Sequence, residues 1–312
     1  MPIDVACPNL SLDRTIAVPR LLPGGVHRSA RSDARGGGKG ANVVRALRAL
    51  GRPASLTGIL AGRTGSAVAA MLADEGTALE AVRASGETRS CLTVLAEDAV
   101  TVFNESGPAL DRAGWRRYRD LVEEHLRPGS VFVCSGSFPP GAPDDAAAHL
   151  AEAARAAGCS VVVDTSRTQL ERVLACEPDL IKPNIHEAAA VIAGTTEERV
   201  DAGDGALERA AEMADSLRER GPRAVVVSAG AAGAALASDD GTVTRTAPEI
   251  RAVNPVGAGD CMVAAFAALL EADRALDEAG LGFAVTVGSA GCETFAAGEV
   301  DAARVDELLR SL

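Results

Sequence analysis

The chain has 312 residues, of which 47% are hydrophobic and 24% charged, and a formal net charge of -12. That size can bury a substantial core, as one large α/β domain or two small ones. The negative charge disfavours a basic face for nucleic-acid backbones, and aromatics at 3% offer little stacking surface, so any anionic ligand needs a local site.

Residues 3–22 alternate loosely between apolar and polar, with a β-rich piece at 15–18 that ends at Pro19; Asp13 stands just before it. Next comes GGGKGANVVRALRALG, residues 36–51. Val43, Leu47 and Leu50 recur at helical spacing, Gly51 is a good C-terminal stop, and Gly36 to Gly38 with Lys39 and Asn42 form the helix entry. This is a candidate anion site but not a P-loop, because Asp33 and Gly40 occupy the positions that pattern gives to Gly and to Ser or Thr. The dinucleotide fingerprint GxGxxA fits Gly36, Gly38 and Ala41, yet HRSARSDAR before it is no buried strand and LTGILAG after it carries no acid for a ribose.

Residues 54–106 read as a strand at 55–60, a helix at 66–75, and a hairpin whose strands are 90–96 and 100–104, with Arg89 at its start. Beyond 107 the rhythm is regular. Short Val-rich runs at 131–137, 160–164, 179–184 and 224–230 alternate with Ala-rich helical segments, the pattern of a parallel sheet covered on both faces. Each run ends in polar or glycine residues. Ligands bind at the carboxyl ends of strands in open α/β sheets, so these four tips are expected to share one crevice. A fifth element joins them: Gly257, Ala258 and Gly259, followed by Asp260 and the apolar run from Cys261 to Phe266. A glycine turn at a helix start presents free N–H groups to an anion, and Asp260 is either a base beside it or a plain N-cap.

Seven cysteines, an odd number with no CxxC pair, suggest reduced and mostly buried thiols. Four histidines without metal-ligand spacing argue against zinc. With no stretch long enough to span a membrane and no basic-then-apolar pattern in MPIDVACPN, a cytoplasmic protein is expected.

Taken together, these motifs resemble the PfkB family of the ribokinase-like superfamily, kinases of sugars and sugar phosphates. GGGKGANVVRALRALG is similar to the family's N-terminal signature and NPVGAGDCMVAAF (254–266) to its C-terminal one. Between them lie SGSFPPG (135–141), DTSR (164–167), KPNIHE (182–187) and SAGAAG (228–233). Within the family, the lysine in GGKGAN, FNESGP (103–108) and Asn254-Pro255 are similar to the branch of 1-phosphofructokinases and tagatose-6-phosphate kinases. One departure is the segment Asn9-Leu10-Ser11-Leu12-Asp13, which keeps the aspartate and changes the turn before it.

The resemblance implies one ribokinase-like domain over 1–312, α/β and doubly wound, with a mostly parallel central sheet, helices on both faces and a small β lid from about 10–33 and 88–105. It also implies phosphoryl transfer from ATP with Mg²⁺, Asp260 acting as general base and the Gly257–Ala258–Gly259 turn as anion hole. Asp13, Gly37, Gly38, Asn42 and Ser137 would hold the acceptor, and Lys39 with Arg89 would hold its phosphate. Lys182, Asn184, Ser228, Gly230 and Gly233 would lie along the nucleotide, with Glu187 near the metal. An adenine pocket is expected from 243–256 and 288–292. A homodimer is implied through the lid. Fructose 1-phosphate is the expected acceptor; tagatose 6-phosphate, a neutral sugar or a nucleoside remains open. A catalytically silent sugar-phosphate sensor would show a broken base or anion turn, and here Gly257, Gly259, Asp260, Asn184 and Glu187 are all present.

Overall fold

The structure is a computed structural model that describes residues 2–195 and 205–311. The N-terminal half runs β1 (Ile3–Cys7), β2 (Ser11–Ala17), β3 (Arg31–Gly37), α1 (Lys39–Ala49), β4 (Ala54–Ala61), α2 (Gly62–Asp74), β5 (Ala78–Ala84), β6 (Arg89–Leu95), β7 (Val100–Asn104) and α3 (Arg112–His125). It continues through β8 (Val131–Ser135), α4 (Ala146–Ala156), β9 (Ser160–Asp164), α5 (Arg167–Val173), β10 (Leu180–Ile181), α6 (Ile185–Ala193), α7 (Ala206–Arg218) and β11 (Val225–Ser228). An antiparallel pair, β12 (Ala234–Ser238) and β13 (Gly241–Arg245), then precedes α8 (Ala258–Glu271), α9 (Glu278–Cys292) and α10 (Ala302–Ser311).

Nine strands form the central sheet in the order β13-β12-β11-β10-β9-β8-β1-β4-β5. From β5 across to β11 every pairing is parallel; β12 and β13 close one edge antiparallel. Alternate side chains of the Val-rich strands feed two cores. Val5, Val133, Val162 and Val226 meet α1, α2, α8, α9 and α10, while Phe132, Val161, Val163 and Val227 meet α3 to α7. Burial on both faces explains why these strands read as continuous apolar runs. Helix α8 is threaded through the first core, and truncating its fully buried Phe266 to Ala would cost about 3–5 kcal/mol.

The remaining strands form a second sheet, β3-β2-β6-β7, in which β2 and β6 pair parallel and the outer pairs are antiparallel. Its strands fall between 11 and 37 and between 89 and 104, where the sequence reading gave 10–33 and 88–105 to a lid. The hairpin of β6 and β7 lies where it was expected.

Five strands escaped sequence reading: β1, β3, β5 and the antiparallel pair β12 and β13. Strand β1 is wholly buried, and its five residues, with Asp4 the one polar side chain among them, are too few to stand out from the loosely alternating stretch 3–22. Strand β3 is exposed over most of its length, consistent with its reading as no buried strand, yet it is a strand. Strand β5, ALEAVRA, is built from weak strand formers and is ordered by pairing with β4 at the sheet edge. Three of the four Val-rich runs end earlier than their sequence bounds, because residues at their tips leave the ladder, whereas β9 keeps its expected bounds and pairs Asp164 with Ser135. No described helix is long and apolar enough to cross a membrane.

Candidate active site

A cavity of about 1460 Å³ lies over the carboxyl ends of the strands and under the lid. Ser137 follows β8, Asp164 ends β9, Lys182 follows β10, Ser228 ends β11, and Gly257 to Asp260 head α8; all line it. Asp13 and Arg89 reach it from the lid. The five polar tips therefore share one crevice.

Gly257 is the N-cap of α8 and adopts φ 91°, and a Cβ there would approach the amide nitrogen of Gly298 to 2.7 Å. Only glycine fits such a turn without strain. Asp260 stands in the first helical turn, 5% exposed. Its side chain does not cap the helix, so the N-cap alternative is set aside: Oδ2 instead accepts a hydrogen bond from Asn42 Nδ2 at 2.8 Å. Burial pushes the Asp260 carboxyl up to about 7; Asp164 adds to the rise, while Lys39, the Asn42 bond and Lys182 oppose it.

Beside the turn lies a compact charge cluster. Lys39 Nζ is 3.1 Å from Asp164 Oδ1 and 3.5 Å from Glu187 Oε1, and Lys182 Nζ is 3.8 Å from the same Asp164 oxygen. Burial disfavours the charged form of Lys39, but Asp164, Glu187 and Asp260 more than offset this and hold its pKa above the ordinary lysine range. Burial likewise works against Asp164, and Lys182 with Lys39 overcomes it to hold that carboxyl below its usual value. Lys182 also presses on the anion turn, since a Cβ on Gly259 would lie 3.0 Å from its Nζ. The second oxygen of Asp164 is buried without a hydrogen-bond partner.

Helix α6 begins at this cluster. Asn184 Oδ1 accepts from the backbone N–H groups of His186 and Glu187, and Glu187 Oε2 accepts from the Asn184 N–H, completing a capping box. Glu187 is thus both an ordinary helix-start acid and a contributor of its other oxygen to the cavity. On the same side, Gly230 and Gly233 follow β11 with φ of 59° and 117°. A side chain on Gly233 would run into the backbone of Arg245. Ala247, Pro248, Ile250, Val256, Gly288 and Cys292 line the cavity nearby, where an adenine slot was expected.

At the lid end, Asp13 accepts from Ser11 Oγ at 2.5 Å and from the Gly38 N–H at 3.2 Å, and its carboxylate fills the space a side chain on Gly37 would need. Asn9, 3% exposed, donates to Ser137 Oγ at 3.1 Å and to the Ser106 carbonyl at 3.1 Å. Arg89 Nε donates to the Asn9 carbonyl at 3.1 Å. The segment that begins at Asn9 is therefore part of the cavity wall.

Lys39 and Arg89, grouped in the sequence reading, both line the cavity with different partners: the lysine is engaged by Asp164 and Glu187, while Arg89 donates to the backbone carbonyls of Asn9 and Glu105. Sequence reasoning also left Asp164 without a role. Its place at the end of a Val-rich run was the available signal, and its engagement by two lysines was not readable there. Among the described residues no group of three or more His, Cys, Asp or Glu side chains is arranged to hold a metal by itself.

Residues 7–302 match the family described as pfkB family carbohydrate kinase. The 1-phosphofructokinase of Xanthomonas campestris pv. campestris is 36% identical over 270 residues, covering 84% of this chain and 82% of that one. For the 1-phosphofructokinase of Rhodobacter capsulatus the identity is 34% over 288 residues, with 91% and 88% covered. The crystal structure of phosphofructokinase-2 from Escherichia coli in complex with fructose-6-phosphate superimposes with a TM-score of 0.84 at 29% identity, over 99% of this chain and 98% of that one.

Proposed function

The chain belongs to the pfkB family of carbohydrate kinases, and we propose that it transfers the γ-phosphoryl group of ATP to the 6-hydroxyl of fructose 1-phosphate, giving fructose 1,6-bisphosphate. The observation that carries the reaction is the buried Asp260 carboxylate, set between the Gly257–Gly259 turn and Asn42 with its pKa near 7. The acceptor is supported by the two 1-phosphofructokinases above and by Arg89 at the lid end of the cavity.

Asp13, Gly38, Asn42 and Ser137 orient the sugar hydroxyls, and the Arg89 fork takes the acceptor's phosphate. Asp260 accepts the proton of the attacking hydroxyl as its oxygen bonds to the γ-phosphorus and the bond to the ADP oxygen breaks. Backbone N–H groups at the head of α8 and the ammonium groups of Lys182 and Lys39 face the charge that builds on the transferring group. Asn184, Ser228, Gly230 and Gly233 border the nucleotide. The donor set suits magnesium, which prefers oxygen and retains much of its water: Glu187 Oε1 and the unpartnered oxygen of Asp164 would hold it together with phosphate oxygens. When bound, that ion neutralises phosphate charge. Closure of the second sheet would exclude water as a competing acceptor. Val100, Val102 and Phe103 on the exposed outer strand of the lid support a homodimer that covers them.

The test is ATP consumption by the purified protein with fructose 1-phosphate, fructose 6-phosphate, tagatose 6-phosphate, fructose, ribose and adenosine. A kcat/KM for fructose 1-phosphate at least tenfold above every other acceptor is expected. Preference for another phosphorylated ketose would replace the acceptor and keep the reaction, and preference for a neutral acceptor would remove Arg89 from its role. Binding without turnover across the panel would favour a sensor.

A further inference from the structure

A chain of buried hydrogen bonds leads from Asp260 out of the cavity and through α1. Asn42 Nδ2 donates to Asp260 Oδ2 at 2.8 Å, and Arg45 Nη1 donates to Asn42 Oδ1 at 2.9 Å. Arg45 is 4% exposed. Its Nε and Nη2 fork onto the Glu75 carboxylate at 2.6 and 3.0 Å, and Nη2 also donates to the carbonyl of Gly36 near the end of the lid strand β3. Three residues apart on one helix, Asn42 and Arg45 share a face.

An amide has two nearly isosteric orientations, and only one helps a carboxylate. With its N–H₂ toward Asp260 it stabilises the ionised form; flipped, it turns oxygen lone pairs on the negative charge. Nothing in Asn42 itself selects between them. A guanidinium has donors only and keeps its proton in a protein, so its partner on Asn42 must be Oδ1, which leaves the N–H₂ for Asp260. Glu75 in turn fixes the guanidinium through two bonds. We propose that Arg45, clamped by Glu75, is a positioning residue that locks the Asn42 amide in the orientation that donates to Asp260. This rests on the reading of Asp260 as the base.

The other charged or titratable groups facing Asp260 are Lys39 from α1, Asp164 at the end of β9 and Lys182 after β10, with the thiols of Cys7 from β1 and Cys261 from α8. Arg45 hydrogen-bonds to Asn42, Gly36 and Glu75, so its removal reaches Asp260 through the amide.

The test compares pH profiles of kcat/KM for the wild type, Arg45→Met and Arg45→Lys, with ATP Kd measured by direct titration and Asp260→Asn run alongside. Arg45→Met is expected to lower kcat/KM by about 10–100-fold and to move the acidic limb up by about half a pH unit or more. ATP Kd should stay within about twofold of wild type, and Arg45→Lys, which can still donate to Oδ1, should recover part of both effects. If Arg45→Met does not fold, the double variant Arg45→Met/Glu75→Met removes both charges and leaves no unpaired buried ion; the same shift is expected of it. A limb at its wild-type position overturns the inference, even if the rate is reduced. With Asp260→Asn inactive, that result leaves the base assignment standing; Asp260→Asn retaining turnover overturns both.

Discussion

Asn42 and Asp260, 218 residues apart in sequence, meet at 2.8 Å, so an amide at the first glycine-rich helix start holds the carboxylate at the second. The two signatures at either end of the chain are two halves of one site. Neither half supplies this hydrogen-bonded carboxylate alone.

The burial of Asp260 predicts the pH dependence of turnover. As a base it must be ionised, and burial raises its pKa to about 7. Activity in the free enzyme should therefore rise with pH through an apparent pKa near 7 and fall about tenfold per unit below it. The profile of kcat/KM at fixed ionic strength checks this; a flat profile from pH 5 to 8 contradicts it.

The same carboxyl predicts a stability effect of opposite benefit. Its folded pKa lies above its unfolded value of about 3.9, so between those values the native state binds more protons than the unfolded one. Stability from this group is present below the unfolded value and is lost as pH rises toward 7. Asp260→Asn removes that loss, and the ligand-free variant is expected to exceed the wild type at pH 8 by about 1–2 kcal/mol, with the gap closing at pH 5. Denaturant melts at the two pH values measure it. A variant less stable than wild type at pH 8 contradicts the expectation.

Arg89 and Lys39 should separate kinetically. Arg89→Met removes the fork at the lid end and is expected to raise KM for the acceptor by about 10–100-fold while ATP Kd is kept. Lys39→Met removes a cation engaged by Asp164 and Glu187. It should act mainly on kcat, by about 100-fold, with acceptor KM little changed. Steady-state kinetics of both variants decide this, and the opposite pattern would return Lys39 to the acceptor's phosphate.

Gly257→Ala tests the anion turn. Its φ of 91° and the 2.7 Å approach of a Cβ to the Gly298 nitrogen mean that the turn must shift to accept a methyl group. The expected cost is about 1–3 kcal/mol of stability together with at least a tenfold loss of kcat. A fully active Gly257→Ala enzyme would show that the turn does not contact the transferring group.

Local features were readable in the sequence because their causes are local. The glycine turns at 36–38 and 257–259, the helices behind them and the polar strand tips each follow from backbone freedom or apolar spacing within a few residues. What long-range packing decides was not readable. Strand β1 has too few residues to stand out from the stretch around it, and β5 depends on its neighbour. Lys39 could be recognised as a site lysine, but its direction depends on where β9 and α6 end. Arg45 in NVVRALRALG looks like any helix arginine until Glu75 and Asn42 are placed beside it. The segment from Asn9 to Asp13 departs from the family pattern in its turn, and Asn9 at its head lines the cavity and donates to Ser137.

The central claim is that Asp260 takes the proton of the attacking hydroxyl, and its most direct measurement is the kcat of Asp260→Asn with fructose 1-phosphate and saturating ATP, with ATP Kd titrated in parallel. The account predicts a loss of about 10²–10⁴-fold with ATP affinity near that of the wild type. Turnover retained above about a tenth of wild type by a variant that binds ATP normally would contradict it.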